Sequence, residues 1–306
     1  MKRIFVIISL LILAALIGGI IFLFTRPSDY QAHFTVKTTP DIAYYHILNW
    51  DFWNRDQLNT KTDILSRTPV SYVSKKVTLN DTTLILNWEI KKVEDSITLV
   101  RVYVSDPERK LINRLTALFK NTPFKKNVRR NLLDIKTRME VMLKAFRYEF
   151  TGYHHFEKRS CICISLKSTK RGKARAMMSS VIELNQFVRQ NNLKMDGNPF
   201  LVVHDWNKMK DSISFDFCFP IDPIDAVPEH PKIKFQTVES MDAIKTDFYG
   251  NYSISDITWY SLAEEAKKQG YRRNNKLIEV YFNDPHSGGN ELEWKAEIYM
   301  GIESAN

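Results

Sequence analysis

An isolated acid inside an apolar strand is the chemically richest feature of this 306-residue sequence: Glu297 stands in the run Lys295-Ala296-Glu297-Ile298-Tyr299. A carboxylate placed this way either points to solvent or occupies an interior polar site, where desolvation demands a partner. A cationic ligand is one such partner, and a Lys or Arg of the chain itself is another. Tyr281, Trp259, Tyr249, Tyr252 and Tyr299 lie in nearby motifs, and their rings would add apolar area and cation–π attraction. Residues 220–306 hold 9 Lys and Arg against 15 Asp and Glu, an acidic balance that suits a cation. The expected chemistry is noncovalent binding of a small apolar or cationic molecule, with Glu297 and these five aromatic residues as the ligand-binding set. Asp216 occupies the matching place in an earlier strand, but Val203 stands where Tyr281 would be.

Other arrangements nominate no catalytic residue, metal ligand set or cofactor. HExxH, GxSxG, GxGxxG and the phosphate-binding loop motif are all missing. His154-His155 lacks a companion acidic or cysteine pair at metal-ligand spacing. His286-Ser287-Gly288-Gly289 reads as a turn, with no acid nominated to orient a Ser-His pair. Cys161, Cys163 and Cys218 are too few for a disulfide framework and read as buried thiols.

The elements that must position Glu297 occur twice. Cys161–Leu166 alternates as a strand, Val181, Leu184, Phe187 and Val188 give a helical face, and 200–204 and 213–221 give two more strands. Residues 222–231 contain Pro223, Pro228 and Pro231 and form a linker. The order then recurs: strand 241–248, a helix carrying Ile257, Trp259, Tyr260 and Leu262 that ends at Gly270, and strands 277–282 and 294–302. Two βαββ units, about 160–221 and 232–302, are expected to pair around a cleft.

Three motifs carry a resemblance at this point: Phe248-Tyr249-Gly250-Asn251-Tyr252, Ile278-Glu279-Val280-Tyr281-Phe282-Asn283-Asp284-Pro285 and Ala296-Glu297-Ile298-Tyr299. Over roughly residues 155–304 the chain resembles the GyrI-like small-molecule-binding family, also found as the effector domain of AraC-type and multidrug-responsive transcription activators. The resemblance implies a cleft between the repeats in which Glu297 and Tyr281 face a ligand. Some relatives hydrolyse reactive small molecules, which makes Glu297 acting with a tyrosine as general acid or base the enzymatic alternative. A non-enzymatic interaction scaffold is the other. Gly301 departs from the proline of the pattern, and the helix-turn-helix of the activators is missing, so no direct nucleic-acid partner is expected.

Residues 29–150 have their own organisation: a strand over 31–37, a short helix opened by Thr39-Pro40-Asp41, strands over 70–79, 83–92 and 96–105, and helical stretches divided by Pro123. Val128, Leu132, Ile135, Met139, Met142 and Phe146 form one apolar stripe that needs a sheet to cover. With Asn49-Trp50-Asp51-Phe52-Trp53-Asn54, this order resembles the START-like or SRPBCC (polyketide cyclase-like) helix-grip family, which implies a curved sheet gripping a long helix. Such a fold often holds an apolar cavity that Trp50, Trp53 and Trp88 could line, but their packing in the core is the favoured expectation.

Residues 4–24 are apolar or small throughout and bracketed by Lys2-Arg3 and Arg26, the pattern of an uncleaved transmembrane helix. The expectation is therefore a single-pass membrane protein with its N-terminus cytoplasmic and its globular domains outside. Residues 101–147 carry 13 Lys and Arg against 4 Asp and Glu, so the formal charge of +9 is polarised rather than spread evenly. The expected fold is α+β: a transmembrane anchor over 1–28, a helix-grip antiparallel sheet domain over 29–150 and a duplicated βαββ domain over 151–306.

Overall fold

The computed structural model describes residues 2–50, 60–79, 82–94, 96–116, 122–170, 172–207, 212–224 and 228–303. The chain divides into two compact units, Met1–Glu140 and Val141–Asn306.

The first unit opens with helix α1 (Lys2–Thr25). Among the described residues no helix is long and apolar enough to cross a membrane. The transmembrane anchor over 4–24, and the single-pass localisation built on it, therefore do not stand.

Strands β1 (Tyr30–Val36), β2 (Thr60–Thr68), β3 (Tyr72–Leu79), β4 (Thr82–Glu94) and β5 (Ile97–Ser105) form an antiparallel sheet in the order β1-β5-β4-β3-β2. Strict alternation buries Leu84, Leu86, Trp88 and Ile90 of β4 and Thr98, Val100, Val102 and Val104 of β5 on one face. Helix α2 (Pro40–Asn49) packs on the sheet, with Pro40 at its first turn. Its C-terminal end is sealed by the buried Lys75, whose Nζ donates to the carbonyls of Leu48 at 2.8 Å and Trp50 at 2.6 Å. A cation at a helix C-terminus complements the dipole there. Trp50 and Trp88 are buried and meet edge to face at 6.1 Å, while Trp53 lies outside the described residues.

Helices α3 (Lys110–Thr116) and α4 (Pro123–Met142) follow, and α4 buries Val128, Leu132, Ile135 and Met139 as its periodicity dictates. Phe146 does not continue that stripe: α4 stops at Met142, and Phe146 begins the next strand.

His46 of α2 provides a pH test of this unit. Burial, with the charges of Arg138 and Lys75, takes its imidazole from the usual 6.5 down to about 4, against a raising hydrogen bond with the Ile135 backbone. The folded state thus binds the proton less well than the unfolded chain, so its stability is intact above pH 6.5 and lost as pH falls through 4. With allowance for partial exposure, the loss between pH 7 and pH 4 is expected to be about 2 kcal/mol. Denaturant titrations of wild type and His46→Gln at stepped pH check this, since the substitution should flatten that part of the profile.

The second unit is built from β6 (Phe146–Phe156), β7 (Arg159–Thr169), α5 (Lys173–Gln190), β8 (Phe200–Asn207), β9 (Ser212–Pro220), β10 (Ile233–Val238), β11 (Met241–Gly250), α6 (Ile257–Lys268), β12 (Arg273–Tyr281) and β13 (Lys295–Ile302). These strands make one antiparallel sheet in the order β10-β7-β9-β8-β12-β13-β11-β6. β7-α5-β8-β9 and β11-α6-β12-β13 are the two repeats, and β8 pairs with β12 at the seam. The preceding strands are exchanged, since β6 pairs with β11 of the second repeat and β10 with β7 of the first. His154 and His155 lie in β6.

Connections of two residues, Glu157-Lys158 and Glu239-Ser240, join strands from opposite ends of this order. So short a link spans only about 10 Å, and the sheet must curl until its ends approach. Its concave face closes on Phe156, Cys161, Cys163, Phe200, Cys218, Met241, Ala243, Ile278 and Val280. Cys163 and Cys218, directly opposed on β7 and β9, form a disulfide, and only Cys161 among the described cysteines remains a thiol. Burial, together with the charge of Asp216, pushes that thiol up to about 12, so it stays protonated and inert. The convex face carries the helices and displays Leu277, Glu279 and Tyr281 of β12 beside Ala296 and Ile298 of β13.

An aromatic cleft over a buried carboxylate

Alternation along β12 and β13 decides where each acid points. Val280 pairs with Glu297, and Val280 belongs to the concave cluster, so Glu297 shares the concave face with Lys295 and Tyr299. There it accepts hydrogen bonds from Tyr299 Oη at 2.6 Å, Lys295 Nζ at 2.8 Å and Lys245 Nζ at 3.2 Å. Asp247 bridges the same two lysines at 3.0 and 3.1 Å, so two cations and two anions balance. Burial would raise the Glu297 carboxyl, but these hydrogen bonds and charges outweigh it and hold the group at about 2. The partner of Glu297 is thus the chain's own lysines. Tyr249 lies on the same face with the Arg147 guanidinium stacked 3.7 Å from its ring centroid. Asp216 is also concave, held by His204 at 2.8 Å and Gln236 at 3.0 Å.

Glu279 faces the other way and is fully buried. Its Oε2 accepts from Tyr281 Oη at 2.5 Å, Lys173 Nζ at 2.8 Å and Ser255 Oγ at 2.9 Å, and its Oε1 accepts from Trp259 Nε1 at 2.5 Å. Lys173 opens α5, where a cation opposes the helix dipole. Its ammonium is buried against Glu279 and donates to Ser255 Oγ at 2.7 Å. Burial, followed by the Glu279 charge, raises the Tyr281 hydroxyl well above its ordinary range, so it remains a donor. Across the seam Glu279 pairs with Leu201, so the first repeat brings an apolar side chain to the place where the second brings a carboxylate.

Above this cluster lies a cleft of about 520 Å³. One wall is α5, through Met177, Met178 and Val181; the floor includes Phe217 and Phe219 of β9; and Tyr252, Tyr281 and Trp294 close the other side. The local sequence places Tyr252 with precision. Gly250 ends β11 at φ 153°, and a Cβ there would lie 2.9 Å from both Phe146 and Phe248, so only glycine fits. Asn251 then caps a single 3-10 turn, Tyr252–Ile254, by accepting from the Ser253 amide at 2.9 Å. Tyr252 Oη donates to the Lys295 carbonyl at 2.8 Å and accepts from the Asn283 amide at 3.0 Å. Burial pushes that hydroxyl up to about 12. Its ring meets Tyr281 at 4.8 Å and Trp294 at 5.8 Å between centroids. The aromatic wall is therefore fixed before any ligand arrives.

The six residues nominated from sequence divide between two faces. Tyr252 and Tyr281 line the cleft, and Trp259, fully buried, does not line it but donates to Glu279, which also bonds Tyr281. Glu297, Tyr299 and Tyr249 lie on the opposite face of the sheet. Glu279, Lys173 and the α5 methionines were not nominated. Glu279 carried the same signal as Glu297, an acid between Ile278 and Val280, and it stands two residues before a nominated tyrosine.

Residues 168–303 match the model of the GyrI-like small molecule binding domain. No curated protein matches the chain. Among solved structures, the C-terminal domain of EcmrR is 17% identical with a TM-score of 0.43, covering 52% of this chain and 99% of that one. EcmrR in a DNA complex is 16% identical with a TM-score of 0.43, covering 70% and 88%. A conserved protein from Listeria innocua is 10% identical with a TM-score of 0.36, covering 50% and 92%. At these scores the neighbours neither support nor weaken the expectation that this chain has no nucleic-acid partner.

Proposed function

We propose that the Tyr252–Tyr281 cleft reversibly binds a small molecule and that the protein works as a sensing, sequestering or transfer module. The observation that carries this reading is the cleft itself: about 520 Å³, lined by methionine and aromatic side chains together with several asparagines, with Tyr252 locked by two hydrogen bonds. That is the size and lining of a site for a drug-sized ligand, and an ordered wall spares the ligand the cost of ordering it. The GyrI-like match over residues 168–303 agrees with a small-molecule ligand. Hydrolysis through Glu297 finds no support, because a carboxylate held at about 2 between two lysines is a poor proton acceptor. The first unit is proposed to be a START-like helix-grip module, a reading supported by its five-stranded sheet and the buried stripe of α4.

Nile red, an uncharged aromatic dye, tests the cleft in the full chain. Met178 projects from α5 into the cleft and is 38% exposed, so Met178→Arg should block the cleft with a stability change within about 0.5 kcal/mol. Titration is expected to give saturable fluorescence enhancement with wild type and at least tenfold weaker binding with the variant. Equal affinities would place the dye elsewhere and defeat the reading.

A further inference from the structure

Resting on the cleft reading above, we infer that Lys173 sets the specificity of this site by neutralising Glu279 from within, so that the ligand taken is an uncharged aromatic molecule rather than a cation. A buried carboxylate beside an aromatic cleft would ordinarily select a positive charge. Here that charge is already present as part of the protein. Lys173 Nζ lies 2.8 Å from Glu279 Oε2, and both side chains are completely buried. The remaining capacity of Glu279 is taken by Trp259 Nε1, Ser255 Oγ and Tyr281 Oη. Tyr281 lines the cleft while Glu279 does not, so the face offered to a ligand is a tyrosine ring whose hydroxyl already donates inward.

The other charges near the cleft lead the same way. Lys170, one turn before α5, is buried within 3.8 Å of Asp256, a second internal pair of opposite signs. Among the described residues, the lining side chains that can carry a charge near neutral pH are Asp284 and His286, which bond each other at 2.9 Å and are more than half exposed. Water screens such a pair, and it offers an incoming cation little attraction. A cation entering the cleft would therefore shed solvent without gaining a counter-charge, whereas an uncharged ring system would gain apolar burial against Met177, Phe217 and Tyr252 at no electrostatic cost.

Two probes of similar shape separate the cases, tetraphenylphosphonium as the cation and triphenylphosphine oxide as the neutral molecule, each competed against Nile red on the full chain. Wild type is expected to bind the neutral probe at least tenfold more tightly. Lys173→Met should leave Glu279 uncompensated and tighten tetraphenylphosphonium at least tenfold while changing the neutral probe less than twofold. The double variant Lys173→Met/Glu279→Gln, with no charge left to compensate, should return to the wild-type ranking; if the single variant does not fold, the wild-type ranking alone decides. Equal or tighter binding of the cation by wild type would overturn the inference, as would an unchanged ranking in folded Lys173→Met. If neither probe displaces the dye, or Met178→Arg affects neither, it is the cleft reading that falls.

Discussion

Glu279→Ala is expected to destabilise the second unit by about 3–5 kcal/mol, the usual consequence of removing one partner from a buried ion pair. The variant leaves the Lys173 ammonium inside the protein without its counter-charge, and Trp259 Nε1 and Tyr281 Oη lose the acceptor they share. Differential scanning calorimetry should show the melting of this unit fall by about 6–20 °C, given the usual 2–4 °C per kcal/mol for a domain of this size. Removing both charges should behave differently. Lys173→Met/Glu279→Leu replaces the pair with apolar side chains of similar bulk and should lie within about 2 kcal/mol of wild type, because the desolvation cost disappears with the attraction. The double-mutant coupling is therefore expected to be large. A Glu279→Ala variant that melts within a degree of wild type would show that the carboxylate is not sequestered as described.

The second large effect is expected in the first unit. Arg114 of α3 donates from Nε to Asp29 Oδ1 at 2.9 Å and from an Nη to the Arg26 carbonyl at 2.5 Å. Asp29 Oδ2 in turn accepts from the Asp106 amide at 2.7 Å, tying the entry of β1 to the end of β5. Asp106 extends the network by accepting from the amides of Glu108 and Arg109 and from Asn113, which sets the chain into α3. The Asp29 and Arg114 side chains are 0% and 3% exposed, so this pair lacks the screening that makes most surface pairs worthless. Arg114→Ala strands the Asp29 carboxylate and should cost about 3–5 kcal/mol. Urea denaturation, followed with a probe on this unit, measures it, and adding Asp29→Asn should recover part of the loss. A change below about 1 kcal/mol would mean that solvent reaches the pair.

Periodicity and punctuation determined much of this protein. The doubled order of strand, helix, strand, strand was legible because each element buries one stripe: Leu184 and Phe187 in one helix, Trp259 and Leu262 in its counterpart. Gly250-Asn251-Tyr252 was legible as a motif because backbone geometry at that turn admits few residues. Three strands were not recognised: Thr60–Thr68, largely polar at a sheet edge; Phe146–Phe156, which continues directly from a helical stripe; and Ile233–Val238, which follows a proline-rich linker. The apolar N-terminal run forms a helix, but among the described residues no helix is long and apolar enough to cross a membrane.

The proposed site turned on something a sequence does not contain. Glu279 and Glu297 are both acids between apolar residues on neighbouring strands, and by sequence either could be the buried partner of a ligand. Alternation ordinarily tells an inner face from an outer one, but here helices cover one face and the curl of the sheet covers the other, so both look apolar. Only the register that sets Val280 against Glu297 sends the two carboxylates to opposite sides. Only the packing of α5 brings Lys173, 106 residues away in the chain, against Glu279. Sequence alone therefore determined the repeating elements and the residue types available for a site, because those depend on local periodicity. Tertiary structure decided which acid stands behind the cleft and which cation neutralises it, because burial and pairing are properties of the space between distant strands.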